Sequence, residues 1–387
     1  MKKSIVGLLS IVIFSFLFSC NNEGEKNSLI YNLTKVDGRD VSYKINDSTR
    51  FMFASLFLVE DSNRKYLSFL ANRTNNILFY DLKSGEFLFQ LSLDREGSNG
   101  VGMINGFYVK DLNNIYITTY QKEGLIKVDT SGVVKRFIPY KETSDGFMVR
   151  ASFSSVSAFY TPPIFVDDKI YITQHPSQFS TKSETPLSVC FDTLGVRMAG
   201  LPFTHPSPLS DTEFPKYRGN AFSRDFNGEY FVYSFNNDHN IYITSKDHKE
   251  IKVREARSRY VSELKLSKFL DPVYGHKFLL ETFSYGNLIY DKYRNVYYRI
   301  VNHGIKTDAF SEEEIKEIYQ SGHPRFSIMI LDNDFNIIGE TLFPDSVFIN
   351  YVMFIDEDGL YISDSHILNP DFDENNLSFK CFNLKEL

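Results

Sequence analysis

An acidic turn followed by an aromatic or aliphatic strand recurs six times in this 387-residue chain, and each copy is followed by a second alternating strand that runs into a polar turn. Two turn-linked hairpins per copy, six copies in all, predict an all-β fold: a six-bladed β-propeller with four-stranded blades. Composition agrees, since a chain that is 42% hydrophobic, with 36 Phe and 24 Tyr, carries the apolar surface that a large core needs.

The first column of turns begins at Asp61, Asp111, Asp167, Asp225, Asp291 and Asp356, spaced at intervals of 50 to 66 residues. The second column closes the segments 77–81, 125–129, 187–192, 241–245, 328–332 and 379–383. Asp, Asn and Gly supply the local acceptors and the positive φ that tight hairpin turns require, so both columns read as structural. Calcium loops are excluded at Asp332 and Asp371, because the sixth and twelfth positions (Ile337 and Phe343; Asn376 and Phe382) hold neither the glycine nor the bidentate acid such a loop needs. The last copy shows three strands, over 351–355, 360–363 and 377–382. The segment 28–45 is expected to add the missing strand there and close the ring, which hides a sheet edge. That arrangement sets Cys190 and Cys381 on opposite blades, beyond disulfide reach, so both are expected to be free and buried.

The amino terminus reads as an address. Lys2 and Lys3 precede an apolar run from Ile5 to Phe18, long enough for an export signal and too short for a permanent span. The run ends Leu17-Phe18-Ser19-Cys20, which resembles the lipobox of bacterial lipoproteins. The resemblance implies signal cleavage after residue 19, palmitate and other acyl chains on Cys20, a polar tether over 20–28 and the propeller over 29–387. Because Asn21 rather than Asp follows the cysteine, it also implies outer-membrane anchoring, facing the periplasm or the cell surface. The net charge of −7 argues against nucleic acid as a partner.

In a four-stranded blade, the turns from strand one to two and from three to four share one end. The remaining connections share the other, and here nearly all the long ones fall: 93–106, 139–150, 173–186, 201–220, 301–325 and 364–376. Long loops on a rigid scaffold commonly carry binding residues. Seven of the eight histidines map to this end, with His248 alone in a short turn, yet none has close metal-ligand spacing. Ser311-Glu-Glu-Glu314 reads as a capping box, which predicts a helix over 311–320. Asn105, Asn220, Asn287 and Asn350 recur where inner strands begin. Converging amides there are similar to the cation site of senescence-marker lactonases, but no acid completes the set. Arg95, Arg218, Arg254, Arg257 and Arg259, interleaved with Tyr217, Tyr260 and Tyr285, suit carboxylates, sugars or peptide planes.

The run from Arg95 to Tyr108, with its Gly97-Ser-Asn-Gly-Val-Gly102 core, sits behind a lipobox and inside this repeat. It resembles a family of uncharacterised propeller lipoproteins of Bacteroidota, with Ser98 standing where that family carries proline. The resemblance implies a six-bladed propeller at the outer membrane and brings no activity with it. The function expected from the sequence is a binding or recognition module for a protein, peptide or glycan, contacted through Arg95, Tyr217, Arg218 and His303, with no catalytic residue, metal or cofactor. The alternative is a cation-dependent lactonase or lyase-like enzyme at the channel mouth.

Overall fold

The computed structural model describes residues 30–387 except 46–54, 62, 72–73, 141, 144–159, 175, 177–180, 193–196, 217–220, 267 and 269–271. Two short amino-terminal strands, β1 (Tyr31–Lys35) and β2 (Val41–Lys44), precede a series of antiparallel meanders. The first comprises β3 (Leu56–Asp61), β4 (Arg64–Ala71), β5 (Asn76–Asp81) and β6 (Phe87–Ser92). The second comprises β7 (Ile104–Asp111), β8 (Asn114–Thr119), β9 (Gly124–Val128) and β10 (Val134–Pro139). The third holds β11 (Ile164–Val166), β12 (Lys169–Thr173), β13 (Ser188–Asp192) and β14 (Met198–Gly200); the fourth holds β15 (Phe222–Phe226), β16 (Phe231–Phe235), β17 (Asn240–Thr244) and β18 (Ile251–Glu255). Helix α1 (Pro272–Glu281) leads into β19 (Ser284–Asp291) and β20 (Val296–Asn302). Helix α2 (Glu312–Gln320) then leads into β21 (Phe326–Leu331) and β22 (Ile337–Leu342), and β23 (Met353–Ile355), β24 (Leu360–Ser363) and β25 (Asn376–Glu386) finish the chain.

The protein is thus all-β, built of four-stranded sheets, with two short helices among the described residues. Burial explains why each strand has its sequence. Middle strands are covered on both faces and read as apolar runs, as in β21, where every residue is buried. Outer strands face water and carry charge, as in β18, where every residue is exposed. Six buried clusters fill the spaces between consecutive meanders. One joins β3–β6 to β7–β10 through Phe79, Leu91, Phe107 and Ile126. Three more run on in chain order, and a fifth joins β20 and β21 to β24 through Ile300, Ile328 and Ile362. The sixth packs Leu67, Phe69 and Leu78 of the first sheet against Phe354, Tyr361 and Phe379 of the last strands.

The amino-terminal segment pairs with β25 along its length: Tyr31 to Lys35 lie opposite Glu386 to Phe382, and Val41 to Lys44 opposite Phe379 to Asn376. β1 also meets β22 in parallel at Tyr31 and Gly339, so the last two meanders merge into one nine-stranded sheet. Gly339 allows this approach, because a Cβ there would stand 2.3 Å from the Tyr31 carbonyl oxygen.

The acidic turns fold as local acceptors. Asp111 takes the Asn113 N–H and the Asn114 amide, Asp291 the N–H groups of Tyr293 and Arg294, and Asp356 those of Asp358 and Gly359. Asp225 departs from its column. Asn227, two residues on, caps that turn by accepting from Glu229 and Tyr230 N–H, and the Asp225 carboxylate points to β19 instead, accepting from Tyr290 N–H at 2.7 Å. The predicted capping box is present, with Ser311 as the cap and the helix over Glu312–Gln320. α1 was not expected. Cys190 and Cys381 are free, but Cys190 is only half-buried, because its strand β13 has just the short β14 beyond it; Cys381 is buried.

Candidate functional site

The two helices show that the connections carrying them share an end. α1 joins two sheets and α2 joins the second and third strands of one sheet, yet Leu280 of α1 packs on Ile315 and Ile318 of α2. His276 of α1 stacks on Tyr319 of α2, ring centroids 4.6 Å apart. Beneath them lie three histidines, His303 and His323 from the β20–β21 connection and His366 from the β24–β25 connection. His303 Nε2 is 2.9 Å from Ser327 Oγ, His323 Nδ1 is 3.0 Å from the Arg325 carbonyl, and His366 Nε2 is 3.3 Å from the Gly322 carbonyl. Burial, reinforced by the Arg325 guanidinium, pushes His303 down to about 4. Burial likewise brings His323 and His366 down to about 4. All three are neutral imidazoles at neutral pH.

Around His303 a polar chain runs inward. Ser327 Oγ donates to Glu340 at 2.7 Å, Ser258 Oγ donates to the same oxygen at 2.6 Å, and the Arg259 N–H donates to the other oxygen at 3.1 Å. With its proton given to Glu340, Ser327 can only accept from the His303 Nε2–H. This order is the reverse of the one that activates a nucleophilic serine, where the imidazole receives the hydroxyl proton. The chain therefore stitches segment 258–260 to β22 rather than priming a reaction.

The segment before β11 enters between β15 and β19. Tyr160 N–H donates to Asn287 Oδ1 at 2.8 Å, and its carbonyl accepts from Arg224 N–H and Ser223 Oγ, each at 2.9 Å. Ser223 Oγ also accepts from Leu288 N–H at 2.9 Å, beside the Asp225–Tyr290 bond. Side chains of β15 thus satisfy the free edge of β19, which a buried edge strand cannot leave unpaired. Burial pushes the Asp225 carboxyl up to about 6. Below Tyr160 remains a cavity of about 170 Å³, lined by Leu56, Phe57, Ile289, Met353 and Phe354, with Lys292 and Tyr293 at its short-turn mouth. Glu60 bridges that mouth, accepting from Tyr293 Oη at 2.8 Å and pairing with Lys292 at 3.4 Å.

Of the residues expected to make contacts, Arg95 is exposed in the connection after β6. His303 is 6% exposed, packed against Tyr260 and Phe283. Tyr217, Arg218 and Cys20 lie outside the described residues, as does Asn220. The asparagines that recur at the starts of inner strands do not converge on a shared site at the three described positions. Asn105 is exposed, Asn287 holds Tyr160, and Asn350 accepts from His323 N–H and donates to Asn302. Tyr285 is buried, its hydroxyl 2.8 Å from His239 Nδ1. Among the described residues, no three His, Cys, Asp or Glu side chains gather as a metal site. Sequence reasoning missed Tyr160, Asp225, Glu60 and Glu340. For Asp225, the second candidate cap at Asn227 was the available signal.

A family profile described as a domain of unknown function, DUF4221, matches residues 31–342. The chain belongs to that family. A crystal structure of a DUF4221 member from Bacteroides vulgatus is 26% identical, covers 93% of this chain and 99% of its own, and superposes with a TM-score of 0.81. The resemblance to an uncharacterised Bacteroidota family of propeller-like fold therefore holds for this DUF4221 chain. A candidate exported protein from Bacteroides fragilis is 14% identical over 93% of this chain and 97% of that one, TM-score 0.49. Streptogramin B lyase is 8% identical over 89% and 98%, TM-score 0.42. Neither likeness is close enough to transfer chemistry. No curated protein matches the sequence.

Proposed function

We propose that this DUF4221 chain is an exported, lipid-anchored six-bladed propeller that binds a protein, peptide or glycan through its long-connection end. Six four-stranded blades, the last completed by the amino-terminal strands along β25, account for the six interlocking clusters and for the packing of the last strands on the first sheet. The signal and lipobox at residues 1–20 support export and anchoring at the outer membrane, and no helix among the described residues is long and apolar enough to cross a membrane.

The observation that carries the binding reading is the concentration of elaboration at one end. Both helices and the long connections gather there, whereas the opposite end consists of short turns capped by their own Asp and Asn side chains. The polar groups beneath the helices are committed to structure, so recognition falls to exposed side chains such as Arg95 and those on α1 and α2. Photo-crosslinking tests this directly. With the cross-linker at position 95, 274 or 313, native envelope partners should be captured, and at position 83 or 334 they should not. Equal capture from both ends, or capture at the short turns alone, would sink the assignment.

A further inference from the structure

The amino-terminal strand fixes which end of the molecule faces its membrane. β25 follows the 364–375 connection, so Asn376 lies at the long-connection end and Glu386 at the short-turn end. β1 runs antiparallel to it with Tyr31 opposite Glu386 and Lys35 opposite Phe382. Ile30 N–H is tied to the Ile338 carbonyl at 2.9 Å, and the Ile30 carbonyl accepts from Leu387 N–H at 2.9 Å. The chain therefore enters the fold at the short-turn end and is hydrogen-bonded there on both sides.

We infer that the short-turn end faces the membrane and that the long-connection end is presented to macromolecules approaching from the aqueous side, not to the lipid surface that anchors the protein. This inference rests on anchoring through Cys20, as proposed above. The ten steps from Cys20 to Ile30 reach at most about 35 Å when fully extended. β25 alone, at eleven residues, covers about 35 Å, and α1 and α2 lie at its far end. For the helices to lie on the bilayer, the tether would have to run at nearly full stretch beside the whole sheet, against its conformational entropy. The short-turn end, in turn, exposes Glu86, Glu229, Asp247, Asp334 and Glu357 alongside Lys83, Lys246, Lys249 and Lys292, so its charge is mixed and the orientation rests on the tether's attachment point.

The test uses the full lipidated chain in phosphatidylcholine vesicles that carry a headgroup nitroxide lipid as quencher. A fluorophore is placed on Lys83→Cys at the short-turn end or on Glu313→Cys on α2, each in a Cys190→Ser background. Quenching at position 83 should exceed that at 313 by about threefold or more, given the reach of the tether. Equal or reversed quenching on vesicle-bound protein overturns the orientation while leaving the anchor intact. A Cys20→Ser chain that stays on vesicles as well as the parent overturns the anchor itself, and the orientation with it. Adding twenty Gly/Ser residues after position 28 should erase the difference; its persistence would overturn the tether as the cause.

Discussion

At the scale of single residues, one buried side chain that no motif marks ties two sheets together. Arg299 of β20 is fully buried, and its guanidinium reaches into the neighbouring sheet. It donates to Ser234 Oγ at 2.9 Å and to the carbonyls of Asp238, His239 and Ala256 at 2.7–2.8 Å, with Tyr285 beneath it at 3.5 Å. Its partners are carbonyls, a hydroxyl and a ring face, so burial lowers its pKa to about 10 yet leaves it charged. A planar fork can serve several carbonyls at once where an ammonium cannot. Arg299→Met keeps the volume and strands three buried acceptors, which is expected to cost about 3 kcal/mol or more in urea unfolding. The exposed Arg254→Ala serves as the control and should cost almost nothing. A loss at Arg299 no larger than at Arg254 would mean the carbonyls find water instead.

At the scale of elements, local signals were legible and distant ones were not. The Asp turns and the α2 capping box could be read because each closes its hydrogen bonds within a few residues. Ser311→Ala should accordingly cost about 1 kcal/mol and loosen α2 alone, seen as faster amide exchange in its first turn. Asp225 looked like its column mates because its true partner, Tyr290, is sixty-five residues away. α1 left no trace for a related reason. Its sequence, with Gly275 inside and two aromatic residues, is a poor helix former, and packing on α2 holds it instead. The addition of a strand to the last sheet could be anticipated by counting strands there, but the contact between β1 and β22 could not, since it depends on one missing Cβ. Gly339→Ala would drive a methyl group into the Tyr31 carbonyl. It should release β1 from β22, exposing the Ile30 amide to rapid exchange and costing about 2 kcal/mol, while β1 keeps its ladder with β25. Undiminished protection of Ile30 would show that β22 can shift to absorb the methyl group.

For the whole molecule, the histidines of the long-connection end, which lack metal-ligand spacing in the sequence, bear on the response to acid. His303, His323 and His366 are held near 4 against an ordinary 6.5, because each is buried. A depressed histidine gives stability that is fully present above the unfolded value and lost as pH falls from about 6.5 toward 4, since the unfolded chain takes up the protons first. Asp225 has the opposite sign. Its carboxyl is raised from 3.8 to about 6, so its contribution is present below 3.8 and lost as pH climbs through 6. Between pH 4 and 6 the three histidines, joined by His248, which burial brings down to about 3, pull stability down on acidification while Asp225 holds it up, each by an amount on the order of 1–3 kcal/mol. The balance is a net loss. Urea midpoints should fall steadily from pH 7.5 to pH 5, with the loss flattened by His366→Asn. Asp225→Asn should instead steepen the acid loss while leaving stability at pH 8 equal to or above that of the parent, because a buried negative charge has gone. A midpoint that stays level down to pH 5 would mean that the helices open enough to hydrate the imidazoles before the sheets come apart.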